Sequence, residues 1–208
     1  FMDELRGEYD KMFNEYRQNK QLIEMGALSK KDFSSKCQSI AKKSNELLKR
    51  ISKMKFFDPA CGSGNFLIIT YKSLRFLEMD ILRLQQLCEE EAQIGAVMGT
   101  CIHLDQFYGI ELLDFPHEVA MLSLWLAQHQ MDNKLFETFK INTQALPLHN
   151  ITQIQCGNAC RLDWNVVCPH EKDDEVFVFG NPPYLGARLQ NKEQKEDMGF
   201  VFKETLAY

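Results

Sequence analysis

The segment from Phe56 to Leu67 (FFDPACGSGNFL) constrains this chain more than any other. A short apolar run ends in Asp58 and passes into a turn with two glycines, Gly62 and Gly64. Beyond it Leu67, Tyr71, Leu74, Leu77, Ile81, Leu84 and Leu87 recur in steps of three or four. That is the pattern of a strand, a glycine turn and a long helix. The glycines let backbone N–H groups approach a ligand at the helix N-terminus, where the peptide dipoles favour negative charge.

Three further apolar segments read as strands: Phe107–Ile110 ending in Glu111, Ile151–Ile154 before Cys156, and Val176–Phe179 before Gly180. The last is apolar at every position, as expected for a strand buried on both faces. A helix is expected from Asp114 as N-cap, with Pro116 in its first turn, through Ala120, Leu124 and Ala127. His117, Trp125 and His129 fall within it as structural members. Strands separated by helical patterns imply a parallel α/β sheet. Between Gly157 and Glu175, Pro169 and an acidic run leave little room for a full crossover helix.

Ahead of this lies a stretch of 57 residues without proline and with only two glycines. Its periodicity predicts two helices separated near Gly26–Ser29, with Ser29 as an N-cap. It holds 13 Lys and Arg against 8 Asp and Glu, whereas the remainder holds 11 against 21. A basic segment is either a nucleic-acid face or a solvated helix flank, and the second is the commoner case.

Several classes of protein do not fit. No apolar run approaches the roughly 20 residues needed to span a bilayer, and no secretory signal precedes the helices, so a cytoplasmic protein is expected. Seven cysteines in that setting are expected as reduced thiols. Cys156, Cys160, Cys168 and His170 lack the paired short loops of zinc modules, so no metal is expected. A nicotinamide-dependent dehydrogenase would want a small residue where Leu67 stands, and an acidic residue roughly 20 positions beyond the turn. Here the best acidic candidate, Glu111, comes far later. The chain begins at Phe1, which reads as a piece of something longer.

Each expected strand ends on a group able to bind a nucleoside or react beside one. Asp58 closes the first and Glu111 the second, where a carboxylate can accept both hydroxyls of a ribose. Asn158 follows the third with an amide suited to an adenine edge. Asn181-Pro182-Pro183-Tyr184 follows the fourth. In parallel sheets such ends converge on the ligand crevice.

In this order, FDPACGSGNFL and NPPY resemble the S-adenosylmethionine loop and the catalytic motif of gamma-class DNA amino-methyltransferases. YGIE and GNA lie between them, where that family has its ribose-binding and adenine-binding motifs. The match runs from Lys55 to about Gly186. It is closest to the methylase portion of fused type II restriction–modification polypeptides. The resemblance implies a Rossmann-like methyltransferase core with about four of the family's strands, in the order third, second, first, fourth. Residues 1–54 would be a helical extension and 55–208 the N-terminal part of the catalytic domain, without its later strands and target-recognition part.

By the same resemblance the cofactor is S-adenosyl-L-methionine. Asp58, Pro59, Ala60, Cys61, Gly62, Gly64 and Asn65 would hold its methionine end, Glu111 its ribose and Asn158 its adenine. Many relatives carry Asp where this chain has Asn158. Asn181 and the Pro182 carbonyl would accept hydrogen bonds from the target amine, with Pro183 stiffening the turn and Tyr184 stacking on the extruded base. Asn181 also borders the cofactor. The implied reaction is methylation of adenine N6 in double-stranded DNA, with the target base flipped out and the remaining domains of the parent polypeptide as partners. Rival readings are cytosine N4 transfer, a protein-glutamine methylase that shares NPPY, and a cofactor-binding lobe without catalysis.

Overall fold

A computed structural model describes residues 1–92, 99–141, 153–182 and 185–203. The described residues fall into two units. The first takes those of Phe1–Lys53, Tyr71–His103 and Gln128–Ala145; the second takes those of Met54–Thr70, Leu104–Ala127 and Leu146–Tyr208.

The first unit opens with an antiparallel helix pair, α1 (Met2–Glu24) and α2 (Lys30–Ile51). Phe33, Cys37, Ile40, Ala41, Ser44, Leu47, Leu48 and Ile51 form one buried stripe on α2, the spacing that puts side chains on a single face. Gly26, at φ +72°, ends α1 in a Schellman motif: Gly26 N–H donates to the Ile23 carbonyl and Ala27 N–H to that of Leu22. The Ser29 hydroxyl then accepts the Asp32 N–H at 3.1 Å, as its expected capping role requires. Two of the basic residues face acids of α1: Lys43 pairs with Glu15 and Arg50 with Glu4 and Glu8. Such exposed pairs stabilise weakly, by about 0–1 kcal/mol each.

The remainder of this unit is built on Tyr71–Ala92 of α3 (Asn65–Ala92) and the end of α4 (Asp114–Phe139). Tyr71, Leu74, Leu77 and Ile81 are all fully buried. Among them lies a charge cluster with no signature in the apolar pattern. Arg75 is fully buried, pairs with Glu78 at 3.0 Å and Asp132 at 2.9 Å, and donates to the Tyr71 hydroxyl at 2.6 Å. Glu78 in turn accepts from the Thr100 hydroxyl and the Cys101 N–H.

The second unit carries a four-stranded parallel sheet: β1 (Lys55–Asp58), β2 (Phe107–Glu111), β3 (Ile154–Cys156) and β4 (Val176–Val178), in the order β3-β2-β1-β4. Phe56 pairs with Phe107 and Phe177, and the three rings stack across the strands at 5.0 and 5.7 Å. The other face buries Phe57, Ile110, Val167 and Cys168 together. The β3–β4 connection contains only the short helix α5 (Trp164–Val167), capped by Asp163. Helix α6 (Lys192–Phe202) follows β4 and starts with a capping box between Asn191 and Gln194.

Two strand expectations need correction. The third strand is Ile154–Cys156 and includes Cys156; Ile151 and Thr152 lie outside the described residues. The fourth is not buried on both faces: Val178 is 55% exposed, and Phe179 falls beyond the strand. Its apolar sequence is that of a central strand, but among the described residues it pairs only with β1 and stands at the sheet's edge. All seven cysteines are free thiols. Among the described residues no helix is long and apolar enough to cross a membrane.

Candidate active site

Parallel pairing brings four chain ends to one edge of the sheet in the second unit. Asp58, the last residue of β1, is fully buried. Its Oδ1 accepts the Ala60 N–H at 3.0 Å, while Oδ2 has no hydrogen-bond partner. Burial pushes this carboxyl above the usual carboxylate range, the Ala60 N–H pulls against that rise, and the charge of Glu111 adds to it.

The loop after Asp58 is held on three sides. Cys61 N–H donates to the Ile110 carbonyl at 3.0 Å, and Gly64 N–H to the Cys61 carbonyl at 2.8 Å. Gly62 and Gly64 have φ of +56° and +81°, a region costly for any residue with a Cβ. Gly64 also lies against α4, where an added Cβ would come within 3.3 Å of Ala120 Cβ. The Cys61 thiol is buried beneath the loop and is pushed up to about 12, first by burial and then by the charges of Asp58 and Glu111. A thiol so protonated is a packing group rather than a nucleophile.

Glu111, at the end of β2, reaches back to this loop. Its Oε2 accepts the Gly62 N–H at 3.0 Å and its Oε1 the Leu113 N–H at 2.9 Å. Each oxygen keeps a further lone pair, so the carboxylate is fixed in place and can still accept two hydroxyl donors. The Glu111 carbonyl accepts the Gly157 N–H at 2.8 Å, which puts Asn158 beside the end of β2. Asn158 Oδ1 accepts the Cys160 N–H at 2.9 Å, and Nδ2 donates to Asp197 Oδ2 at 2.7 Å.

The fourth end arrives through Gly180. Phe179 N–H donates to the Phe57 carbonyl, and a Cβ on Gly180 would collide with Asp58 Oδ1. The bare backbone therefore closes over the buried carboxylate, and Asn181 and Pro182 emerge exposed next to it. Pro183 and Tyr184 lie outside the described residues.

The expected residues Asp58, Pro59, Ala60, Cys61, Gly62, Gly64, Glu111, Asn158, Asn181 and Pro182 thus gather at one sheet edge, with Asn65 exposed at the start of α3. Two contributors were not anticipated. Gly180 stands next to Asn181 and Pro182, and its place in the run Gly180-Asn181-Pro182 was the available signal. Asp197 sits on α6, 39 residues from the amide it holds, and no local pattern announces it.

The sequence profile described as "MmeI, DNA-methyltransferase domain" matches residues 34–208. The chain belongs to this family. The chain is 54% identical over 162 residues to DNA methyltransferase A of Bacillus subtilis (strain 168), covering 77% of this chain and 18% of that protein. The structure of the type IIL restriction-modification enzyme MmeI in complex with DNA matches over 100% of this chain and 24% of its own. That match has a TM-score of 0.74 and 33% identity. The chain therefore spans about a fifth to a quarter of these relatives.

Proposed function

We propose that this chain is the cofactor-binding and catalytic core of a DNA adenine-N6 methyltransferase of a restriction–modification system, with S-adenosyl-L-methionine as methyl donor. The observation that carries the reading is the unsatisfied, buried Asp58 Oδ2 beside a Glu111 carboxylate held by two backbone N–H groups. An orphaned acidic oxygen suits a ligand ammonium group, and a fixed carboxylate with two free lone pairs suits the two hydroxyls of a ribose. The cofactor has both, on either side of its sulfonium.

In this reading Asp58 and the loop Pro59–Gly64, with Asn65, bind the methionine end, Glu111 the ribose and Asn158 the adenine. When bound, S-adenosyl-L-methionine supplies an electrophilic methyl group. The acceptor amine of adenine is a poor nucleophile because its lone pair is delocalised into the ring. Asn181 and the Pro182 carbonyl accept its two N–H bonds and favour a pyramidal nitrogen, which localises that lone pair as the transition state forms. Pro183 stiffens the turn, and Tyr184 offers a ring against which a base leaving the duplex can stack. Asn181 follows the glycine packed on Asp58, so amine and cofactor are brought close, and positioning supplies much of the acceleration.

Double-stranded DNA and further domains of a longer polypeptide are the partners this reading requires. The DNA-bound MmeI structure, of which the match covers 24%, supports both. The test is methylation of duplex DNA by the full-length polypeptide with labelled cofactor, followed by nucleoside analysis. Label in N6-methyladenine is expected; label in cytosine or in protein, and none in adenine, overturns the adenine assignment. Glu111→Ala should abolish measurable S-adenosylhomocysteine binding in calorimetry, and unchanged affinity removes Glu111 from the site.

A further inference from the structure

The amide of Asn158 is engaged by protein at both ends, with partners of opposite polarity. A backbone donor, Cys160 N–H, faces Oδ1 at 2.9 Å, and a carboxylate, Asp197, faces Nδ2 at 2.7 Å. Asp197 is itself held: its other oxygen accepts Arg161 Nε at 2.7 Å, and the Arg161 guanidinium lies 4.4 Å from the centre of the Phe200 ring on the same helix. The two hydrogen bonds and the guanidinium charge keep the Asp197 carboxyl below its usual range, so it stays an acceptor at neutral pH.

This arrangement settles which way round the amide lies. Turned over, its NH2 would face the Cys160 N–H and its oxygen would face a carboxylate, two like-polarity contacts in place of two hydrogen bonds. Each partner takes one of two sites on its atom. One lone pair on Oδ1 and one N–H on Nδ2 therefore remain for a ligand, in a known order.

We propose that Asp197 is a positioning residue that fixes the polarity of the Asn158 amide, making the nucleoside subsite select adenine over hypoxanthine. Adenine presents an exocyclic N–H donor next to a ring nitrogen acceptor, which complements the free oxygen lone pair and the free N–H. Hypoxanthine presents a carbonyl and a ring N–H in the reverse order. It could pair only with an inverted amide, which Asp197 opposes. This deepens the methyltransferase reading and rests on it.

The test is calorimetry on the full chain with S-adenosylhomocysteine and S-inosylhomocysteine, for wild type and Asp197→Asn. The variant keeps the shape but puts a neutral amide, able to donate as well as accept, where a pure acceptor stood. The adenosyl preference of the wild type should fall by about tenfold, the scale of one well-made bidentate base contact. Asp197→Ser, whose hydroxyl donates or accepts, is the second variant and should lose the preference similarly. Thermal midpoints establish that both are folded. An unchanged ratio, or an equal loss for both ligands, makes Asp197 merely structural and overturns the assignment. No preference in the wild type overturns it too. If the wild type binds neither ligand, the methyltransferase reading falls and takes the assignment with it. If the adenosyl ligand binds and is lost in Glu111→Ala while Asp197→Asn keeps the ratio, the assignment falls alone.

Discussion

Asp58→Asn should move stability and ligand binding in opposite directions. The carboxylate is fully buried, with Oδ1 accepting the Ala60 N–H at 3.0 Å and Oδ2 without a partner. An amide of the same shape keeps the first contact and replaces a buried, unpartnered anion with a neutral group. An unsatisfied buried polar group costs about 1–3 kcal/mol, and more when charged. The ligand-free variant should therefore gain on the order of 1 kcal/mol at neutral pH. Its sign with pH follows from the raised carboxyl. The folded wild type holds this proton more tightly than the unfolded chain. The stabilisation is full below the ordinary carboxylate range and is lost as pH rises through the folded value. The advantage of the variant should thus be present at neutral pH and vanish in acid. Binding moves the other way, because the amide no longer offers an anion to a ligand ammonium. A hydrogen bond to a charged group is worth about 1.5–3 kcal/mol, so affinity for S-adenosylhomocysteine should fall roughly ten- to a hundred-fold. Urea denaturation across the acid-to-neutral range and calorimetry at neutral pH measure the two effects. A variant less stable than wild type at neutral pH, or one that binds the ligand as tightly, would refute the reasoning.

Gly180→Ala should destabilise the chain by about 1–3 kcal/mol, the usual cost of overpacking. The added methyl meets Asp58 Oδ1, which cannot withdraw without releasing the Ala60 N–H; an unchanged urea midpoint would show that the β4 end yields freely. Arg75→Met should cost about 3–5 kcal/mol, because it leaves Glu78 and Asp132 facing each other's surroundings without their common cation. A loss below about 1 kcal/mol would mean that the pairing barely outweighs its own desolvation.

Much of the fold was readable because its causes are local. The stripe on α2, the Ser29 cap and the strand–turn–helix unit around Gly62 and Gly64 each depend on residues a few positions apart. The sheet order came with the family resemblance, not from periodicity. The same kind of local reading failed at β4, where an all-apolar run described what Val176–Val178 is suited to pack against, not how many strands flank it. It failed again at Arg75, because a charge on an otherwise apolar stripe gives no hint of two carboxylates, one of them 57 residues away.

The sequence alone determined which chemical groups stand at the strand ends: a carboxylate, a glycine turn, a second carboxylate, an amide and an Asn-Pro-Pro turn. It also settled their order along the chain. Only the tertiary structure decided their states. Burial leaves Asp58 Oδ2 without a partner, the Gly62 and Leu113 N–H groups lock Glu111, the bare Gly180 backbone closes over Asp58, and Asp197 orients Asn158. The reason is physical. Residue type sets which hydrogen bonds and charges a group can offer, whereas desolvation and partner geometry depend on segments that sequence separation keeps far apart and folding brings within 3 Å.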